Sequence, residues 1–343
     1  MSGKGSRSGG LMLLRILASF AIVILHTLNV SEILYRDRIS AAADAVSMGI
    51  VYCLMWAVPV FVMVSGALLL DPAREMSIKK ILTRYVPRVL GALVLFVFIF
   101  RIFDCVMNKE EFSGAVLTDA LYKLVSGSSW SHLWYLYMLI GLYLLLPAYR
   151  FISEKCDEKT FLYLTVVCFI FLSILNLTEL FGFTSAFHLQ LSAVYTLYFF
   201  LGYGLYSGKL KLNGGWAVCF IIAGTALTIA GTYFIRGDNA DAVKGIVSAY
   251  SSPAVVLQSA GIFALLKDVK KENAGKALSF VDGCTFGIYL IHMIFLRLFL
   301  RYMEIDPYEG GIGVFAAIAA GSFFASMAIT ALLKLIPGIR RIL

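Results

Sequence analysis

Charge is scarce in this sequence. Only 15% of its 343 residues are Asp, Glu, Lys or Arg, while 60% are hydrophobic and the mean hydropathy is +0.85. An ordinary soluble domain carries about 25% charged residues and about 45–50% apolar ones. A water-soluble globular chain would have nowhere to hide this much apolar surface. Disorder is excluded by the same arithmetic, because disordered chains are poor in aromatic and apolar residues. Other things are missing too. The six cysteines include no CxxC pair and most lie inside apolar runs, which argues against a disulfide framework or a zinc site. There is no Walker loop, no dinucleotide glycine fingerprint and no GxSxG nucleophile elbow. There is no metal-spaced His/Cys/Asp cluster, so neither a resident metal nor a bound cofactor is expected. The net charge of +8 sits between apolar runs, a pattern of membrane topology rather than of a nucleic-acid groove.

What is present is long apolar runs. A spanning helix needs about 20 mostly apolar residues. Ten stretches qualify, near 11–31, 47–70, 87–107, 132–152, 160–177, 187–207, 216–235, 246–266, 284–302 and 311–336. The expected fold is an all-α, polytopic transmembrane bundle of about ten spans. Tyr250-Ser251-Ser252-Pro253 makes the eighth run the weakest. The Gly/Ser-rich residues 1–10 read as a flexible tail, and 11–343 as one transmembrane domain. With the N-terminus placed inside, the inner loops hold nineteen Lys and Arg and the outer loops seven. The positive-inside rule then puts both termini in the cytoplasm of a plasma-membrane protein.

Ionisable groups inside a span are costly and mark functional candidates. Arg15 and His26 lie eleven residues apart in the first run. Eleven steps of about 100° make roughly three turns, so both share a face with a rise of about 16 Å between them. The plainer alternative is that Arg15 snorkels to headgroups and His26 bonds a neighbouring helix. A basic stretch follows the second run, with Arg74, Lys79, Lys80, Arg84 and Arg88. It suits a phosphorylated cytosolic ligand, or serves only as topology signal and anionic-lipid contact. Trp130-Ser131-His132-Leu133-Trp134 opens the fourth run, where His132 and Trp134 either anchor the interface or line an entry for a sugar. In the ninth run Tyr289 and His292 are three apart and share a face. His188 stands alone at the start of the sixth.

These residues together resemble the membrane-bound acyltransferase family 3. Arg15-x10-His26 is similar to the family's first-helix hallmark. Ala57-Val58-Pro59-Val60-Phe61-Val62-Met63-Val64-Ser65-Gly66 resembles its VPxFFxxSG stretch. His132-Leu133-Trp134-Tyr135-Leu136, leading to Tyr143 and Pro147, resembles its HLWFL helix. Phe286-Gly287-Ile288-Tyr289-Leu290-Ile291-His292 resembles its GIYLIH helix. The resemblance implies transfer of an acyl group, usually acetyl, from cytoplasmic acyl-CoA to a hydroxyl or amine of a cell-envelope glycan. It implies His26 as the essential histidine, Arg15 as its first-helix arginine, and Arg84 and Arg88 as its basic residues after the second span; the charge cluster that these share with Arg74 makes all three the donor-side candidates. His132, Trp134, Tyr289 and His292 are the acceptor-side candidates. One departure stands out: members often carry an Asp three residues before the arginine, where this chain has Met12. The rival reading is a transporter or flippase of a lipid or sugar. Transporters often show paired broken helices and internal symmetry, and neither is evident in the sequence.

Overall fold

The computed structural model describes residues 9–174, 194–233, 240–269 and 275–343. Among them the ordered backbone is helical, with no strand. In chain order the helices are α1 (Gly9–Tyr35), α2 (Ala41–Leu54), α3 (Ala57–Leu69), α4 (Ile78–Lys80), α5 (Val86–Met107), α6 (Gly114–Ser126), α7 (Trp134–Leu144), α8 (Leu146–Lys155), α9 (Glu158–Leu172) and α10 (Val194–Ser207). They continue with α11 (Gly214–Tyr233), α12 (Ala240–Ser248), α13 (Pro253–Leu266), α14 (Lys276–Arg297), α15 (Pro307–Leu333) and α16 (Pro337–Ile342).

Seven helical stretches among the described residues are long and apolar enough to cross a membrane, or eight if Ser131–Leu144 and Leu146–Lys155 count as one broken span. The expected ten is therefore too many. α9 has fifteen residues. At 1.5 Å per residue it is about 22 Å long, short of a hydrocarbon core of about 30 Å. Residues 187–193 of the sixth run, including His188, lie outside the described residues, as do residues 1–8 of the tail. The weak eighth run is interrupted as its sequence implies. α12 ends at Ser248, and α13 restarts with Pro253 in its first turn and Ser252 as N-cap, its hydroxyl accepting from Ala254 N–H.

The chain forms two compact units. The first comprises residues 1–74 and 149–285. In it α10 packs on α3, α11 on α13, and α1 on α2 and α3. The α3–α10 crossing depends on two glycines. A Cβ on Gly66 would strike the backbone of Phe199, and one on Gly202 would strike the backbone of Met63. This reciprocal approach is the small-residue packing that brings helices together where lipid offers no hydrophobic drive. It gives a physical reason for the Ser65-Gly66 end of the second motif.

The second unit comprises residues 75–148 and 286–343. Here α6 and α7 pack on α5, and α16 on the start of α5. Pro87 falls in the first turn of α5. Because proline supplies no N–H to the ladder, the preceding residues Ile81–Tyr85 widen into a π-turn, with Val86 N–H bonded to the Ile81 carbonyl. The connection after α5 holds α6, which buries Val116 and Ala120 and ends at Gly127 in the left-handed region (φ 70°).

Candidate functional site

α1 runs unbroken from Gly9 to Tyr35, so the helical phase that puts Arg15 and His26 on one face holds. Both side chains are half-buried. Arg15 is held by Asp282 of α14. Its Nε donates to Oδ1 at 2.7 Å and its Nη2 to Oδ2 at 2.6 Å. Asp282 is 4% exposed. One turn along, the Ser19 hydroxyl donates to the Thr285 carbonyl at 3.3 Å, fastening the same two segments. The sequence reading missed Asp282 altogether, because that residue lies just ahead of the ninth apolar run. Position 12, where the family resemblance leads one to expect an acid, is a buried Met, 3% exposed. The carboxylate that faces Arg15 thus comes from a residue 267 positions away. This fork-to-fork pair neutralises the guanidinium. It suits Arg15 to orienting charge within the bundle more than to gripping a polyphosphate.

The three arginines expected to hold a donor are distributed differently. Arg74, in the first unit, is exposed and donates from Nη1 to the Leu68 carbonyl at 3.2 Å, near the C-terminal end of α3. Arg84 is exposed in the π-turn of the second unit. Arg88 is also exposed, yet its Nε donates to the Ile342 carbonyl at 3.0 Å and its Nη2 to the Leu343 carbonyl at 2.6 Å. Its guanidinium lies 5.5 Å from the Phe286 ring centroid. Arg88 therefore ties α16 to α5. Another arginine went unremarked except as a topology charge. Arg150, 8% exposed, donates to the Leu69 and Asp71 carbonyls at 2.8 and 3.0 Å and satisfies the orphan end of α3.

Of the four acceptor-side candidates, three meet in the second unit. His132, in a 3₁₀ turn of Ser131–Leu133, is 2% exposed, and His292 is fully buried. Their rings are 5.5 Å apart and edge-on. The Tyr289 hydroxyl donates to the His132 carbonyl, and its ring lies 5.7 Å from the His132 ring. His132 Nε2 faces the Leu290 carbonyl at 3.3 Å, and His292 Nδ1 faces the Ile288 carbonyl at 3.0 Å. A carbonyl only accepts, so the neutral rings carry their protons on those two nitrogens. The lone pairs are then left on Nδ1 of His132 and Nε2 of His292. Trp134 is 37% exposed and its ring packs on Tyr135. The tryptophan beside the histidines is instead Trp130, 6.3 Å from the His132 ring. Helix spacing had put Tyr289 and His292 together; that His132 joins them was not legible, because it lies 157 residues from Tyr289.

No group of three or more His, Cys, Asp or Glu that could hold a metal occurs among the described residues. The groups assembled here include buried imidazoles and an arginine paired with a carboxylate, which suit acid–base chemistry. A family model described as an acyltransferase domain matches residues 9–331 of the chain. No curated protein and no solved structure matches it.

Proposed function

Because the chain belongs to the acyltransferase 3 family and is an integral membrane acyltransferase, we propose that it moves an acyl group, acetyl in the simplest case, from cytoplasmic acyl-CoA to a hydroxyl or amine of a cell-envelope glycan. The observation that carries this reading is the Arg15–His26 pair on one face of an unbroken α1, with Arg15 fixed by Asp282. His26 takes the proton of the acceptor O–H or N–H as that atom attacks the thioester carbonyl. The tetrahedral intermediate collapses, the C–S bond breaks, and the imidazolium returns the proton to the departing CoA sulfur. Arg15 orients the site electrostatically from about 16 Å along the helix axis. Incubating the purified protein with radiolabelled acetyl-CoA and an envelope extract should yield a labelled glycan. A protein that leaves every acceptor unlabelled, while binding CoA normally, would count against the reading.

Acyl-CoA carries several phosphates, so its charged end stays at a membrane surface. Arg84 is the donor-side arginine for which exposure and position fit best, since Arg88 already bonds two carbonyls. Replacing Arg84 and Arg88 together with Ala should weaken CoA binding by more than tenfold, about 1.4 kcal/mol. Because Arg88 also secures α16, the single Arg84→Ala variant separates the two effects, and isothermal titration with CoA reads both. Binding like wild type in both variants would move the donor site elsewhere.

With Ser131–Leu144 and Leu146–Lys155 counted as one span, the number of spans among the described residues is even and the same reading puts both termini in the cytoplasm of the plasma membrane, as the Lys and Arg of the loops imply. A cysteine introduced near residue 120 should react with an impermeant thiol reagent added outside, and one near residue 209 should not. The reverse pattern overturns that orientation.

A further inference from the structure

The second unit contains a cleft of about 320 Å³ where α5 ends and α6 returns beside it. Three cations, Arg101, Lys123 and Arg297, line it against one carboxylate, Asp104, with three serines from the 128–131 turn. The acids that hold two of these cations are not part of the lining. Arg101 Nε donates to Asp119 at 2.5 Å and its Nη2 to Glu110 at 2.6 Å, while Lys123 sits 2.9 Å from Asp119. The bond from Arg101 holds the Glu110 carboxyl below its usual range, and that from Lys123, with Arg101, does the same for Asp119. Both acids therefore stay ionised and keep the cations in place through the neutral range. Arg297 Nη1 lies 2.7 Å from Asp104 Oδ1, whose partner oxygen accepts the Trp130 indole N–H at 2.8 Å.

Trp130 decides what kind of ligand fits. Its ring stacks on Phe100, with centroids 4.2 Å apart and planes 5° apart. The Arg297 guanidinium lies 3.7 Å from the indole centroid. Two groups so close must take opposite faces, so the indole has no face left on which a sugar ring could stack. Recognition by ring stacking is closed at this tryptophan. What remains is a wall of N–H and O–H donors in which three cations and one carboxylate face the cleft, while the carboxylates of Asp119 and Glu110 balance the charge outside its lining. Arginine has five N–H donors; Arg101 spends two on its carboxylates and Arg297 one on Asp104. Because those bonds already fix the guanidinium planes, a bound anion loses little to side-chain ordering. The volume sits at the small end of ligand pockets, about 300–1,000 Å³, enough for one sugar-sized unit.

We infer that this cleft binds an oxyanion carried on a hydroxyl-rich body, either a carboxylate- or phosphate-bearing sugar or the phosphoglycerol headgroup of a lipid. The inference goes beyond acyl transfer and stands without it, because it is read by binding alone. The probes are sodium glucuronate, sn-glycerol 1-phosphate and methyl glucoside, followed by saturation-transfer NMR on the full chain in phosphatidylcholine nanodiscs. The two anions should bind, and methyl glucoside should bind at least about tenfold more weakly. Lys123→Gln and Arg297→Gln should each weaken glucuronate binding by about tenfold or more. Lys123 is a third exposed, so its variant keeps the fold even where Arg297→Gln, which strands Asp104, does not. Repeating the titration in phosphatidylglycerol nanodiscs separates the sources. Loss of the glucuronate signal there assigns the cleft to the lipid headgroup, and its persistence assigns it to a soluble anion. If neither anion binds, if methyl glucoside binds as well as glucuronate, or if Lys123→Gln leaves anion binding unchanged, the inference is overturned and the charges serve only to fasten α6 to α5.

Discussion

His26→Ala is expected to lower acyl transfer by about 10²–10⁴-fold, the usual contribution of a positioned general base. The imidazole is half-buried on a continuous helix, so its removal deletes a proton acceptor at little cost in packing. Insertion, expression and the thermal midpoint in detergent should stay near wild type. CoA affinity should also hold, because the charged end of the donor stays at the membrane surface while His26 lies three turns into α1 from Arg15. A fall in CoA affinity matching the fall in rate would mean that His26 binds the donor rather than moving a proton. Full activity would remove it from the mechanism. The His132–His292 cluster supplies the control. Substitutions there should act on acceptor KM more than on CoA binding, provided the folded state survives the loss of buried rings.

The second large effect lies at the Arg15–Asp282 pair. Removing one partner of a buried, hydrogen-bonded ion pair typically costs about 3–5 kcal/mol, because the surviving charge has lost its counterpart in a low-dielectric interior. Asp282→Ala should therefore destabilise the protein by about that amount in denaturant or thermal unfolding. The double variant Arg15→Met with Asp282→Leu should recover much of the stability, since a packed apolar pair is often as good as an ion pair. It should not recover activity if Arg15 orients the reaction. Position 12 offers a sharper test. Met12 precedes Arg15 by three residues, so the two are neighbours on one face of α1. Met12→Asp in the Asp282→Ala background should return part of the lost stability and part of the rate. If Asp282→Ala unfolds within about 0.5 kcal/mol of wild type, the level of an ordinary surface substitution, the pair is not the anchor described.

Much of this molecule could be read along the chain. Hydropathy identified the spanning character because the cost of placing a peptide in hydrocarbon is summed over about 20 consecutive residues. Helix periodicity put Arg15 with His26, and Tyr289 with His292, because both pairs lie within one helix. Tyr250-Ser251-Ser252-Pro253 marked a break in an apolar run, and the structure restarts a helix there with Ser252 as its cap. Length was less secure. The run at 160–177 is apolar enough for a span, yet α9 stops at Leu172. Composition does not say where the backbone ladder breaks.

The remaining features were decided by tertiary packing alone. Asp282 meets Arg15 across 267 residues, and His132 meets Leu290 across 158. Arg88 turns to the carbonyls of Ile342 and Leu343, so a residue that reads as a free cation is already bonded. Phe100 and Arg297 take the two faces of Trp130. A sequence states which groups a chain owns and how they are phased within one helix. It does not state which helix comes to lie against which, and in a medium of low dielectric that adjacency determines whether a charge is neutralised, a proton is placed or an aromatic face stays open.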